Sequence, residues 1–348
     1  MALPRVAVWG GAGMTGGELL RLLARHPSLG LAVTVSRSQA GKPIWHQHPV
    51  LRPDYPDMTF SNPEDALKEE VDLAFLALPH GTSCPIIEEY RKKGVPVVDL
   101  SADVRLKDEG IYKRWYGRAH PSPELLKEAV YGLPELHREE LKGATLASGV
   151  GCNATCAILG LFPLARGGQI ERLHLEVRVG SSEGGASPTQ GSHHPYRSRA
   201  MRVIDPFRHR HLAEILQELK LPEEFVAMTT TAVEMVRGVQ MMAYVTLKDR
   251  VSEAELWKLY RKAFRNEPFL HLCPAQPAHL RFPDPRYVLG SNRALIGFAL
   301  HDDGRTLLVA SAIDNLMKGA SGTALQAANV MLGLPEETGL TMMPVFPA

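Results

Sequence analysis

Cysteine is scarce in this chain: four in 348 residues, at positions 84, 152, 156 and 273. Thiols so few and scattered exclude a disulfide framework and fit a reducing compartment, so a cytoplasmic location is expected. An excess of one charge is also missing. The formal net charge is +1, so no global field gathers nucleic acid or holds the chain on an anionic membrane. No uninterrupted apolar run reaches the length of a membrane span. The amino-terminal stretch reads as a short strand entering a turn, without the apolar core and cleavage site of a secretion signal. The four-residue step from Cys152 to Cys156 is not a CxxC spacing, and no metal is expected. There is no internal repeat and no long low-complexity linker. The chain is long enough for two domains with substantial cores.

What is present begins with a strand, Arg5 to Trp9, running into Gly10-Gly11-Ala12-Gly13-Met14-Thr15-Gly16-Gly17, then a helical pattern from Glu18. Strand, glycine turn and helix in that order are what a dinucleotide site requires. Glycine lets the backbone approach a pyrophosphate seated on the helix N-terminus. The next strand, Leu31 to Val35, ends at Ser36-Arg37-Ser38. An acidic residue there would bind the ribose of NAD; none is present. An arginine between two hydroxyls suits a 2′-phosphate instead, so NADP(H) is expected. Apolar strands at 71–78 and 95–103 alternate with amphipathic segments, which indicates a parallel, doubly wound Rossmann-like sheet. Pro79 and His80 follow one of these strands, and His80 reads as a turn residue beside the nicotinamide.

Beyond residue 170 the pattern changes. Four segments, 172–179, 241–247, 294–300 and 306–313, read as clustered strands of a mostly antiparallel sheet in a separate α+β catalytic domain. Between them lies a glycine-rich loop, 180–191. A basic segment follows from His193 to His211, with Arg197, Arg199, Arg202, Arg208 and Arg210 against Asp205, a net +4 with histidines neutral. It implies an anionic ligand or partner. No aromatic platform is read in it, which disfavours nucleic acid. If a helix starts at its end, His211 and Glu214 share one face at i, i+3. A carboxylate on one imidazole nitrogen would leave the other to move protons. His209 is the substitute.

Cys152 carries the most chemistry. Ser148-Gly149-Val150-Gly151 reads as a turn delivering it to the first turn of a buried helix, where unpaired N–H groups and the helix dipole favour a thiolate. The alternative is a buried structural cysteine.

Over nearly its full length the chain resembles the N-acetyl-gamma-glutamyl-phosphate reductases. The matching stretches are the turn at 10–16, Ser36-Arg37-Ser38, Leu78-Pro79-His80-Gly81, Asp99 to Asp103, Tyr131 to Glu135, Gly151-Cys152, His209-Arg210-His211 and Asp314-Asn315 to Gly322. The resemblance implies an NADP-binding domain at 1–150, a catalytic domain of the glyceraldehyde-phosphate-dehydrogenase type at 151–314, and a segment at 315–348 returning to the first domain. It also implies a homo-oligomer, often a tetramer. Cofactor contacts are expected at Gly10, Gly13, Met14, Thr15, Gly16, Ser36, Arg37, Ser38, Pro79 and Asn315. Asn153-Ala154 after the cysteine and the loop at 181–195 depart from the arginine-pathway pattern. They look like the sister branch of lysine biosynthesis, whose alpha-aminoadipate substrate rides on a small acidic carrier protein, LysW. Arg197, Arg199, Arg202 and Arg208 would then meet the carrier. The implied reaction is NADPH-dependent reduction of an acyl phosphate to a semialdehyde through a Cys152 thioester. Two readings stay open: the arginine-pathway substrate, or both substrates, and a non-catalytic NADPH-binding redox sensor.

Overall fold

The computed structural model describes residues 3–347. The chain forms two compact units: 1–150 with 320–341, and 151–319 with 342–348. Only part of the expected returning segment therefore joins the first unit. Residues 315–319 and 342–348 belong to the second.

The first unit is built on six parallel strands: β1 (Arg5–Trp9), β2 (Gly30–Val35), β3 (Leu73–Leu76), β4 (Val97–Asp99), β5 (Val130–Tyr131) and β6 (Leu146–Ser148), in the order β2-β1-β3-β4-β6-β5. The central strands are buried along their length, as a sheet covered on both faces requires. The strand order reverses beside β1, and a crevice at the carboxyl ends there is where such sheets bind ligands. The helix Gly322–Met331 is buried along its whole length. Within this unit Gln326 donates to Glu135 (3.2 Å), and Ser321 donates to the carbonyl of Thr15 at the head of the first helix (2.9 Å).

The second unit holds a seven-stranded mixed sheet. Its strands are β7 (Ile170–Val179), β8 (Arg202–Ile204), β9 (Val226–Ala232), β10 (Val239–Leu247), β11 (Leu270–Leu272), β12 (Ala294–Leu300) and β13 (Thr306–Ile313). They lie in the order β11-β12-β13-β10-β7-β9-β8, with parallel pairs only at β11/β12 and β7/β9. The four strands legible in the sequence, β7, β10, β12 and β13, are contiguous at its centre. The helix Cys152–Arg166 packs on this sheet and is buried from Asn153 to Leu164. Each large apolar side chain so buried contributes about 1.5–3 kcal/mol. Ser311 donates to the Cys156 carbonyl (2.6 Å) and Tyr260 to that of Gly160 (2.8 Å), tying the helix down.

Candidate active site

Cys152 is the first residue of the buried helix, and Gly151 is its N-cap, with no side-chain cap. The two neighbouring thiols part company here. Cys156, one turn on, is fully buried, and burial pushes its thiol up to about 12. It is a packing residue. Cys152 is half-buried, with Sγ 3.4 Å from Glu183 Oε1 and 3.6 Å from Asn153 Oδ1. Ligand-bearing atoms of Cys152, Glu183 and His211 all lie within 4.8 Å of one another.

Glycines on two sides make room for this cluster. A side chain at Gly151 would place its Cβ 2.6 Å from Glu214 Oε1 and 2.7 Å from His211 Nε2. Gly151 also donates its N–H to Glu214 Oε2 at 2.9 Å. Glu214, itself fully buried, thus fixes the start of the cysteine helix as well as lying beside His211. A Cβ at Gly319 would lie 2.7 Å from Cys152 Cβ. Gly319 sits in a single π-turn, Met317–Ser321, and such turns concentrate at functional sites. Buried Asp314 holds that turn: it accepts from Leu316 and Gly290 N–H groups (2.9 and 2.7 Å) and pairs with Arg237 (3.1 Å).

The helix His211–Leu219 starts at His211. His209 lies just before it, and its Nδ1 accepts the N–H of His211 (3.2 Å). Burial first, and then the Arg210 charge, depress His209 to about 4, so it stays neutral at ordinary pH. Its geometry makes it a support for His211. Asn315 also serves the structure, since its Oδ1 accepts the N–H of Gly238 (2.8 Å) and its Nδ2 donates to Ser182 (2.9 Å). The bond to Ser182 anchors the short turn Ser181–Gly184 that carries Glu183.

The basic segment divides. Arg197 is buried and donates to the carbonyl of Val179, which corrects its expected place on a carrier-facing surface. Arg199 is exposed. Arg202, Arg208 and Arg210 are exposed and line a cavity of about 440 Å³ with Glu183, Arg197 and His209. The segment is also less purely basic than its charge pattern suggests. Tyr196, Met201, Val203 and Phe207 are 55, 83, 56 and 64% exposed, so aromatics are interleaved after all. Arginine, methionine and aromatics together are the residues enriched at protein interfaces.

In the first unit the glycine turn forms as expected. The helix Met14–Leu23 begins after N-cap Gly13, without a side-chain cap, so Met14, Thr15 and Gly16 present first-turn N–H groups. Gly10 has φ +73°, and a Cβ there would meet the carbonyl of Ala77 at 2.1 Å. A Cβ at Gly16 would meet the carbonyl of Gly10 at 2.2 Å. Gly13 differs: its Cβ would have room, 3.4 Å from the Gly10 carbonyl. Packing explains Gly10 and Gly16. Packing does not require a glycine at Gly13, and the open backbone there fits a pyrophosphate. Ser36 is buried, while Arg37 and Ser38 are exposed after β2; Pro79 is exposed and Met14 is 38% exposed. Arg37 makes no hydrogen bond or ion pair among the described residues. His80 accepts the N–H of Ala102 through Nδ1 (2.8 Å), as a turn residue does.

Sequence reasoning passed over Glu183 as a loop residue and missed His48; it placed Asp314 in the late loop and read Gly319 as allowing close backbone contact, without their partners in the site. His48 Nε2 lies 2.7 Å from the Gly11 carbonyl and braces the glycine turn. No spacing signal points to Glu183 or His48, because each acts on residues far along the chain.

Among the described residues no helix is long and apolar enough to cross a membrane. Residues 5–144 match the semialdehyde dehydrogenase NAD-binding domain, and 152–315 match the semialdehyde dehydrogenase dimerisation domain. A LysW-L-2-aminoadipate/LysW-L-glutamate phosphate reductase of Sulfurisphaera tokodaii is 47% identical over 99% of both chains. A putative LysW-L-2-aminoadipate 6-phosphate reductase of Thermomicrobium roseum is 46% identical over 98% of this chain and 99% of its own. Among solved structures, aspartate semialdehyde dehydrogenase II of Vibrio cholerae superposes with a TM-score of 0.70 at 16% identity, covering 96% of this chain and 99% of its own. The Candida albicans aspartate semialdehyde dehydrogenase with NADP gives 0.69 at 16%, covering 95% and 99%. At that identity the likeness is one of fold. Two domain matches and these relatives together decide the family: the chain belongs to the phosphate-reductase branch of the semialdehyde dehydrogenases.

Proposed function

We propose that this chain reduces a carrier-linked acyl phosphate, LysW-linked alpha-aminoadipyl 6-phosphate in lysine biosynthesis, to the semialdehyde with release of phosphate. The observation that carries the reading is the position of Cys152: first residue of a buried, uncapped helix, within 4.8 Å of Glu183 and His211. Cys152 attacks the acyl carbon, a thioester forms, and phosphate leaves. NADPH, when bound, supplies the hydride for the thioester carbonyl. First-turn N–H groups of the Cys152 helix stabilise the oxyanion. Asn153, buried next to the thiol, offers its Nδ2 as a further donor beside them. His211 protonates the hemithioacetal oxygen and takes the proton back as the aldehyde forms. Glu214 keeps His211 and the helix start in register.

The choice of NADP(H) over NAD(H) rests on Arg37, exposed after β2 with no acid at its side. The glycine turn and first-turn N–H groups would hold the pyrophosphate. The carrier reading is supported by the exposed arginines 199, 202 and 208 with Tyr196, Met201 and Phe207. LysW enters from the relatives' names and from the acidity that such a surface selects. The matched dimerisation domain supports a homo-oligomer; a tetramer is the form proposed, in the cytoplasm.

Two measurements test this. Cys152→Ala is expected to lower single-turnover aldehyde formation by at least ~10³-fold; near-normal formation would remove the covalent scheme. A side-by-side assay should favour LysW-linked aminoadipyl phosphate over free N-acetylglutamyl phosphate. Equal turnover of the free substrate would restore the arginine-pathway reading.

A further inference from the structure

We propose that Glu183 relays the Cys152 thiol proton to the departing phosphate. The inference rests on the covalent reading above and adds a catalytic residue to it. Glu183 faces two ways. Its Oε1 lies 3.4 Å from Cys152 Sγ, and the same residue lines the arginine-rich cavity with Arg197, Arg202, Arg208 and Arg210. The attacking atom and the cationic surroundings suited to a phosphate thus share one carboxyl.

The step balances without a further reactant. The thiol S–H bond breaks, with its proton passing to Glu183 Oε1 as the sulfur–carbon bond forms. The carbon–oxygen bond to phosphate breaks, and its electron pair leaves on the phosphate oxygen. That oxygen takes the proton from Glu183, so phosphate departs as hydrogen phosphate and Glu183 is again a carboxylate. Nothing is oxidised or reduced in this half of the reaction.

A permanently charged carboxylate would repel both a thiolate and an incoming acyl phosphate. Burial raises Glu183 above the usual carboxylate range, opposed by the Cys152 contact and the charges of Arg210 and Arg197. The carboxyl can therefore hold the proton between the two transfers. The groups facing it are Cys152 and Asn153 from the cysteine helix and His211 from the helix after the basic segment. Arg197, Arg202, Asp205, Arg208, His209 and Arg210 surround the cavity. The turn is fixed by Ser182–Asn315, so the carboxyl is held on a braced element.

The test uses the full chain and LysW-linked aminoadipyl phosphate without NADPH, following the first equivalent of phosphate released between pH 5 and 9. Wild type should give a burst. Glu183→Gln, which cannot relay a proton, should slow the burst ~10²-fold and lose one inflection of its pH profile. Glu183→Asp, a shorter carboxylate, should retain the inflection at a shifted pH with an intermediate rate. Iodoacetamide labelling of Cys152 and the thermal midpoint report on thiol access and folding in each variant. A Glu183→Gln burst with wild-type rate and pH profile overturns the relay. So does a slowed burst whose pH profile is unchanged in both variants, since that marks a positioning role. Absence of any burst in wild type, with the aldehyde still formed when NADPH is added, overturns the covalent scheme itself and the relay with it.

Discussion

The two units each solve the same construction problem: an uncapped helix start introduced by glycine. At Gly13 and at Gly151 the N-cap is a glycine with φ of −79° and no side-chain cap. The surroundings differ. Gly10 and Gly16 in the first unit are demanded by backbone, by the carbonyls of Ala77 and Gly10, whereas a Cβ at Gly13 would have room. Gly151 is demanded by side chains, His211 and Glu214, some 60 residues along the chain. The first turn offers backbone N–H groups to something brought from outside. The second gives up its N-cap N–H to Glu214 and places a half-buried thiol, Cys152, at the first helical position. The binding role proposed for the first and the reacting role proposed for the second differ in what surrounds the glycine.

Alanine at each position would separate the two. Gly151→Ala, the larger effect, forces His211 and Glu214 away from the cysteine helix. Turnover should fall at least ~10²-fold, since a shift of about 1 Å in a reacting group costs that much, while NADPH affinity holds. Gly13→Ala has room to fold with unchanged thermal stability. It should weaken NADPH binding about tenfold, roughly 1.4 kcal/mol, in a fluorescence titration, and leave iodoacetamide labelling of Cys152 unaltered. If Gly13→Ala binds NADPH as wild type does, the first turn is not the pyrophosphate seat. If Gly151→Ala keeps normal turnover, crowding at the second turn is not what aligns the site.

The same contrast explains what could be read from the sequence. The first unit was legible because its logic is local: Gly10, Gly13 and Gly16 recur at a fixed spacing between a strand and a helix, and Arg37 follows the next strand. Cys152 was legible because a small-residue turn precedes an apolar run. His211 and Glu214 were legible as an i, i+3 pair, yet the bond that Glu214 makes to Gly151 was not. Glu183 looked like one more residue of a glycine-rich loop. Its meaning depends on Asn315 and Ser182 bracing that turn from 133 positions apart. Arg197 failed in the other direction: it counts as a surface charge in any segment tally, but folding buries it on the carbonyl of Val179.

A substitution at Arg37 sharpens the binding half of the comparison. Arg37 is exposed and carries no bond or ion pair among the described residues, so replacing it disturbs little of the fold. Arg37→Asp should invert the charge where a 2′-phosphate would lie. The ratio of kcat/KM for NADPH over NADH is expected to fall about 10- to 100-fold, the 1.4–2.8 kcal/mol of a charge-assisted contact. An unchanged ratio would remove Arg37 from the cofactor site.

The last effect concerns acid, and it also distinguishes the surroundings of the two turns. Each has a half-buried histidine behind it, His48 at the glycine turn and His209 at the start of the helix that carries His211 and Glu214, and desolvation holds both below their ordinary pKa. His48 meets the Gly11 carbonyl with Nε2, so it must donate, and a protonated ring still can. His209 accepts the His211 N–H on Nδ1, and a protonated ring cannot. Acid should therefore loosen the start of the His211 helix before the glycine turn of the first unit. For His209 the folded value is about 4 against 6.5 unfolded. The unfolded chain binds the extra proton first, so this stability is present above pH 6.5 and lost as pH falls toward 4, by at most about 3 kcal/mol. Asparagine offers an amide oxygen in place of Nδ1 and does not titrate. Thermal midpoints of His209→Asn should accordingly fall less between pH 6.5 and 4 than those of wild type. Parallel slopes would mean that His209 is not held neutral, and would return it to contention with His211 as the proton shuttle.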